Sequence, residues 1–330
     1  GLKGGLLLSN VALPNVNVIP YNVASAFPGV TSENYNTAEV KSNFSGAMVF
    51  HTGENNIPAG AYVWNGRRWM PAGGCKCPAG MISDDECNYY TIGDFGAAGT
   101  WMTQNLQSTQ YADGTLLPMG ASTNVALKYY NYPGPNTLST AEERGEALIT
   151  AQLLEDYGLL YSWAAASGRT DDINDSNGGE GGSSLPGYGT TNPPSPADYR
   201  QGICPKGWHL PSDYEWYELE DEITANPDKY SDSTLGNGVG TKMKSQNLVN
   251  GNPSYGSSFS RTKGGFDALL VGDVHGNDIT DGYGSHANFW SSSGYGSSNS
   301  IYWGLYNGNT VVNRSNYTKS SLFSVRCKKD

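Results

Sequence analysis

Two histidines and a run of acidic residues share one short stretch of this chain: GDVHGNDITDG at 272–282, with His286 just beyond. An imidazole near carboxylates is half of a hydrolytic apparatus, which also needs a nucleophile beside the base, or two opposed carboxylates. Ser291, Ser292 and Ser293 follow Trp290, but no G-x-S-x-G elbow presents them. The other histidines, His51 and His209, stand apart from any such grouping. All four are therefore expected to be structural or surface residues, and no catalytic residue is assigned. The same stretch offers oxygen ligands: Asp273, Asn277, Asp278 and Asp281 would suit Ca²⁺. Set against that, aspartates among glycines commonly just make turns. A second acidic group, Asp171, Asp172, Asn174 and Asp175 ahead of Gly178, is weaker still, because its order does not fit an EF-hand loop.

Flat rings among short amides make a different kind of site. Tyr283, Tyr295, Tyr302, Tyr306 and Tyr317 are surrounded by Asn, Ser and Gly, and with His275 and His286 they form the expected ligand surface. Aromatic faces beside small polar groups are what sugars and protein partners meet on binding surfaces. The competing reading puts about half of these rings in the core. Five cysteines complete the reactive inventory: Cys75, Cys77, Cys87, Cys204 and Cys327. An odd count leaves one thiol over. Cys75 and Cys77 with Cys87 have the wrong spacing for a C-x₂-C zinc knuckle, so a local disulfide from Cys87 to Cys75 or Cys77 is expected instead.

The chain has 330 residues, 15% of them charged, with 43 Gly and 22 Tyr, and a net charge of −11. Phosphate binding needs clustered Lys and Arg, and only Arg67-Arg68 and Lys328-Lys329 pair up, so nucleic acid is not an expected partner. An acidic surface also disfavours anionic membranes. No run of 18 apolar residues could span a bilayer. The polar, Gly- and Tyr-rich composition is typical of exported β-rich proteins. The residues open at Gly1-Leu2-Lys3 with no signal segment, which is expected to have been removed.

The elements that would position these groups fall into two parts, with PAGG at 71–74 as the hinge. Residues 1–74 read as a small β-rich linking or oligomerising module. GAMVFHT at 46–52 is a strand pattern, and AYVWNGRRW at 61–69 a hairpin with Asn65-Gly66 as a type I′ turn. Residues 75–330 read as an α+β domain. Short strands are expected at 89–93 and 101–102, and an Asp-Gly turn at 113–114. Thr140 and Glu143 make a capping box for a helical stretch over 140–166, and Ser212 and Glu215 make one for a second helix, giving two helices in all. Residues 168–202 and 231–262 read as long loops. IYWGLY at 301–306 and NTVVN at 309–313 predict a hairpin about Asn307-Gly308. Period-two alternation sets Ile301, Trp303 and Leu305 opposite Tyr302 and Tyr306, and Phe323, Val325 and Cys327 opposite Ser324 and Arg326.

Six ordered motifs carry a resemblance: WMTQNL at 101–106, YADGT at 111–115, YGLLYSWAAA at 157–166, ICPKGWHLPSDYEW at 203–216, NFWSSS at 288–293 and SVRC at 324–327. They resemble the Fibrobacter succinogenes major paralogous domain, found in exported proteins of Bacteroidetes and Fibrobacteres, over roughly residues 88–330. That resemblance implies a C-type-lectin-like fold, related to the formylglycine-generating and sulfatase-modifying factors. In such folds the chain ends lie together in one sheet and a disulfide joins the first-helix region to the last strand, which the resemblance places at Cys204 and Cys327. The copper-dependent relatives need a cysteine pair that this arrangement leaves no thiol to supply. Calcium-dependent lectins carry E-P-N or Q-P-D with W-N-D, where this chain has Asn226-Pro227-Asp228, Asn252-Pro253-Ser254 and Trp290-Ser291-Ser292. No cofactor is therefore expected, calcium being the one candidate. The expected function is non-catalytic surface recognition or adhesion: an extracellular or outer-membrane protein, secreted or lipid-anchored, that binds glycan or a host or bacterial surface protein, with fimbrial subunits as candidate partners. An enzyme akin to sulfatase-modifying factors and a structural stalk assembled through residues 1–74 are the alternatives.

Overall fold

The structure is a computed structural model, and it describes residues 7–13, 19, 30–32, 40, 43–53, 59–64, 68–169 and 186–330. The Asn65-Gly66 turn and the acidic group at 171–175 lie outside them. The chain divides into two compact units, 1–77 and 78–330.

In the first unit, β1 (Leu7–Val11) pairs parallel with β2 (Met48–His51), and β3 (Gly60–Trp64) and β4 (Trp69–Pro71) follow antiparallel. Trp64 stands opposite Trp69, with ring centres 5.3 Å apart, so the predicted hairpin is paired as the alternation requires. Val49, Tyr62, Phe44 and Leu13 close a small core around these two rings. His51 is buried, its Nδ1 3.0 Å from the Leu13 amide.

The second unit is mixed α+β, dominated by short strands. β5 (Met81–Ser83), β6 (Tyr89–Asp94) and β7 (Thr100–Met102) form an antiparallel run. β8 (Tyr130–Asn131) precedes α1 (Ala141–Thr150), α2 (Leu154–Tyr157), β9 (Leu160–Ser162) and α3 (Trp163–Ser167). After β10 (Trp208–His209) come α4 (Asp213–Ala225), α5 (Pro227–Tyr230) and α6 (Val239–Met243). The chain then builds β11 (Asp273–Val274), β12 (Thr280–Asp281), β13 (His286–Tyr295), β14 (Asn299–Tyr306), β15 (Asn313–Thr318), β16 (Leu322–Ser324) and β17 (Lys328–Lys329).

Two sheets result. The smaller runs β10-β17-β7-β6-β5, so the last strand pairs with one of the first, Lys328 opposite Trp101. The larger runs β12-β11-β16-β13-β14-β15, with β9 and β8 attached beside β16. α4 packs on both through Trp216, Leu219 and Ile223, which bury with Trp101, Phe266, Phe289 and Trp303. The opposite faces close a second core around Trp163, Trp290, Phe323, Val325 and Cys327.

Both predicted capping boxes are present, Thr140 with Glu143 and Ser212 with Glu215. The expectation of two helices is corrected to two long ones and several short pieces. The stretch 140–166 breaks because Gln152 turns to φ 57° and Gly158 to φ 69°. At Gly158 a Cβ would lie 2.6 Å from that of Asn105, so no other residue fits the turn into β9. The 301–313 hairpin also differs: β15 begins at Asn313 rather than 309, and 307–312 is a loop. Buried Lys244 explains it, its Nζ donating to the carbonyls of Tyr306 and Asn309 at 2.7 and 2.8 Å. Burial pushes that amine down to about 8.

Arg326 and a disulfide tie the ends of this unit together. Arg326 is buried, with Nε on Asn105 Oδ1 at 2.9 Å, Nη2 on Asp267 O at 3.1 Å and Nη1 on Phe266 O, and its plane lies over the Phe266 ring. Cys204 is bonded to Cys327, with Cα atoms 5.9 Å apart at a sequence separation of 123. By the chain-entropy relation, a loop of that size contributes up to about 5 kcal/mol. Replacing both cysteines by serine is expected to lower the urea midpoint accordingly. A midpoint equal to that of the native chain would show that the bridge does not hold the unit together.

Candidate functional site

The HLPSDYEW motif builds a junction at the start of α4, in which His209, Ser212, Asp213 and Glu215 all have internal partners. Ser212 Oγ receives the Glu215 amide, and Glu215 Oε2 receives the Ser212 amide at 2.8 Å. Glu215 Oε1 faces His209 Nε2 at 2.9 Å and Lys328 Nζ at 3.1 Å. His209 Nδ1 faces Asp330 Oδ1 at 2.8 Å, and the Tyr199 ring stacks on the imidazole with centres 4.0 Å apart. Asp213, also buried, accepts from Trp303 Nε1 at 3.1 Å, from Arg314 Nε and Nη2 at 2.8 and 2.6 Å, and from the Gly189 amide at 2.9 Å. Burial raises the Glu215 pKa, but His209, Lys328 and the Ser212 amide outweigh it and hold the carboxyl at about 2.

Beside this junction opens a cleft of about 190 Å³. Tyr188 and Tyr199 supply rings, Pro186 and Pro194 apolar edges, and Asp198, Arg200 and Ser292 polar groups. Arg314 lies over the Tyr188 ring at 5.3 Å and fixes that wall. Sequence reading missed these residues because 168–202 carries no periodicity, and 186–202 is turns and loop. The one available signal was Tyr188, Tyr199 and Arg200 within a stretch rich in Gly, Asn, Pro and Ser.

The sequence-predicted surface is divided. Tyr302, Tyr306, Tyr317, His275, His286 and Asp273 come together on one face of the larger sheet. His286 Nε2 lies 3.0 Å from Asp273 Oδ2, which also accepts from Asn288 Nδ2 at 2.8 Å. The Tyr306 ring is 5.4 Å from His286, the Tyr317 ring 6.0 Å from His275, and the Tyr302 and Tyr306 hydroxyls are 3.4 Å apart. The face is packed rather than open: Tyr302 is 7% exposed and only Tyr317 reaches 39%. Tyr283 packs on Tyr157 instead, and Tyr295 against the α4 core.

The candidate calcium residues do not come together. Asp278 is held by Arg144 Nη2 at 2.5 Å and Asn131 Nδ2 at 2.8 Å, Asp273 is engaged as above, and Asn277 and Asp281 are exposed. Among the described residues no three His, Cys, Asp or Glu side chains are grouped to hold a metal ion. Cys75 and Cys87 are disulfide-bonded, and Cys77 is an exposed free thiol.

Because folding lowers the Glu215 pKa from 4.5 to about 2, its contribution is complete above pH 4.5 and disappears as pH falls toward 2. The shift corresponds to about 3 kcal/mol. Glu215→Gln keeps the capping geometry and is expected to flatten that acid limb in urea titrations between pH 2.5 and 7. An unchanged acid limb in the variant would show that the carboxylate is not the group responsible.

Neither curated proteins nor solved structures yield a match to this chain. The family model described as the Fibrobacter succinogenes major domain matches residues 96–329. All six motifs, from Trp101 to Cys327, lie inside that span, and the chain belongs to the Fibrobacter succinogenes major domain family.

Proposed function

We propose that the second unit is a non-catalytic recognition domain on a C-type-lectin-like scaffold, displayed outside the cell and binding glycan or a surface protein. One observation carries the reading: the open cleft presents rings, proline edges and small polar groups, while the imidazole beneath it has both nitrogens against carboxylates. A general base needs a free nitrogen within reach of the proton it takes. No serine or cysteine is hydrogen-bonded to His209, His275 or His286 among the described residues, so the Ser–His or Cys–His pairing of a covalent hydrolase is not formed. Cys204 and Cys327 are consumed by their own bond, which speaks against a copper–thiolate oxidase.

The lectin-like scaffold is supported by the pairing of the unit's last strand with β7 near its start and by the bridge from the segment before α4 to the last strand region. Placement outside the cell is supported by that bridge, since disulfides persist in oxidising compartments. Fimbrial display rests on the family alone.

The test is binding of the whole chain to arrays of glycans, mucin and matrix proteins, with and without EDTA. Saturable, EDTA-insensitive binding without turnover is the expected result. Silence across every surface would abandon the recognition reading, and loss of signal in EDTA would restore a metal to the site.

A further inference from the structure

We infer that the cleft beside α4 holds a single terminal, uncharged pyranose, an inference that rests on the recognition reading. Size comes first. At about 190 Å³ the space is smaller than the roughly 300–1,000 Å³ of most ligand pockets, so it suits one ring rather than a length of chain.

Charge comes next, and it selects a neutral guest. The start of a long helix ordinarily attracts anions, but this one has no amide to offer. The Asp213 amide donates to Ser293 Oγ at 3.0 Å, the Tyr214 amide to Gly187 O at 3.0 Å and the Glu215 amide to Ser212 Oγ at 3.3 Å. The lining carries two guanidinium groups, Arg169, which already has a partner within the chain, and Arg200, which has Asp198 beside it. Asp198 is kept ionised by the Ser195 hydroxyl and amide, both on its Oδ2. The other carboxylate in the lining, Glu215, is answered by His209 and Lys328. A sulfate or carboxylate group would therefore meet Asp198 as well as Arg200, and a free ammonium group the reverse.

The remaining groups match a polyol. Asp198 Oδ1 accepts, Arg200 donates, and the Ser292 hydroxyl, which makes no hydrogen bond among the described residues, can do either. Vicinal hydroxyls on a sugar both donate and accept, so one ring can use all three. The C–H face of a pyranose lies flat on an aromatic ring, and Tyr199 is presented rigidly because its other face is stacked on His209. Rigid rings cost little ordering entropy on binding.

A monosaccharide of about a dozen non-hydrogen atoms, held by so few groups, is expected to bind near the millimolar range. The experiment is ligand-observed NMR on the whole chain with methyl glycosides of glucose, galactose, mannose, N-acetylglucosamine and N-acetylgalactosamine, and with glucuronate and glucosamine as charged controls. At least one neutral glycoside should bind tenfold or more tightly than either control. Asp198→Ala and Ser292→Val should each weaken it at least tenfold while leaving thermal unfolding unchanged. Tyr199→Ala should abolish it. Binding to array glycoproteins without any glycoside signal would overturn the inference and leave the recognition reading standing. Glycoside binding that survives all three substitutions would place the sugar elsewhere and overturn it too. No binding in either experiment would remove both.

Discussion

A single buried carboxylate, Glu215, is where the second unit is held together. Its two oxygens close the first turn of α4, face the imidazole of β10 and receive the lysine of the final strand. Three elements remote in sequence are thereby fixed at one point, and the Cys204–Cys327 bond joins the same segments covalently. A buried charge left without partners would cost several kcal/mol, so the contacts here are mutually required rather than additive. Arg326 plays the complementary part just ahead of the last strand: a buried cation answered by a side-chain amide, two main-chain carbonyls and two phenylalanine rings.

Seen this way, the family motifs are chiefly a recipe for the scaffold. In WMTQNL, Gln104 receives the Thr91 amide and Asn105 bridges Tyr157 O and Arg326. In YGLLYSWAAA, Tyr161 reaches Ser108 O, Ser162 caps α3 and Trp163 donates to Ser291 O. In NFWSSS, Trp290 donates to Tyr161 O and Ser293 to Gly187 O. Polar side chains satisfied inside the fold are unavailable to a ligand, and a fold by itself does not fix a function. Most of the cleft groups, among them Tyr188, Asp198, Tyr199 and Arg200, fall outside the motifs, on the segment ahead of β10.

That division explains what could be read from the residues alone. Capping boxes, strand alternation and the faces of Ile301, Trp303 and Leu305 were legible because local periodicity and local hydrogen bonds determine them. The break at Gln152 was not, since a glutamine at positive φ carries no sequence signature, and the length of the 307–312 loop was set by Lys244, over 60 residues away. The tyrosines of 283–317 misled for a related reason: composition distinguishes aromatic from polar, but not an open ring from one packed under its neighbours. Tyr302 belongs to the core and Tyr317 to the surface, although they stand on neighbouring, paired strands. The aspartates of 273–281 likewise point to different partners, because β11 and β12 are only two residues each and the turn between them carries Asp278 to Arg144.

The stacking of Tyr199 on His209 makes one aromatic ring serve as both wall and foundation. Its outer face borders solvent; its inner face rests on the imidazole that Glu215 and Asp330 clamp. A substitution at that ring therefore also disturbs the clamp beneath it. The freer places for drift are Tyr188, Asp198, Arg200 and Ser292, around a floor that stays put.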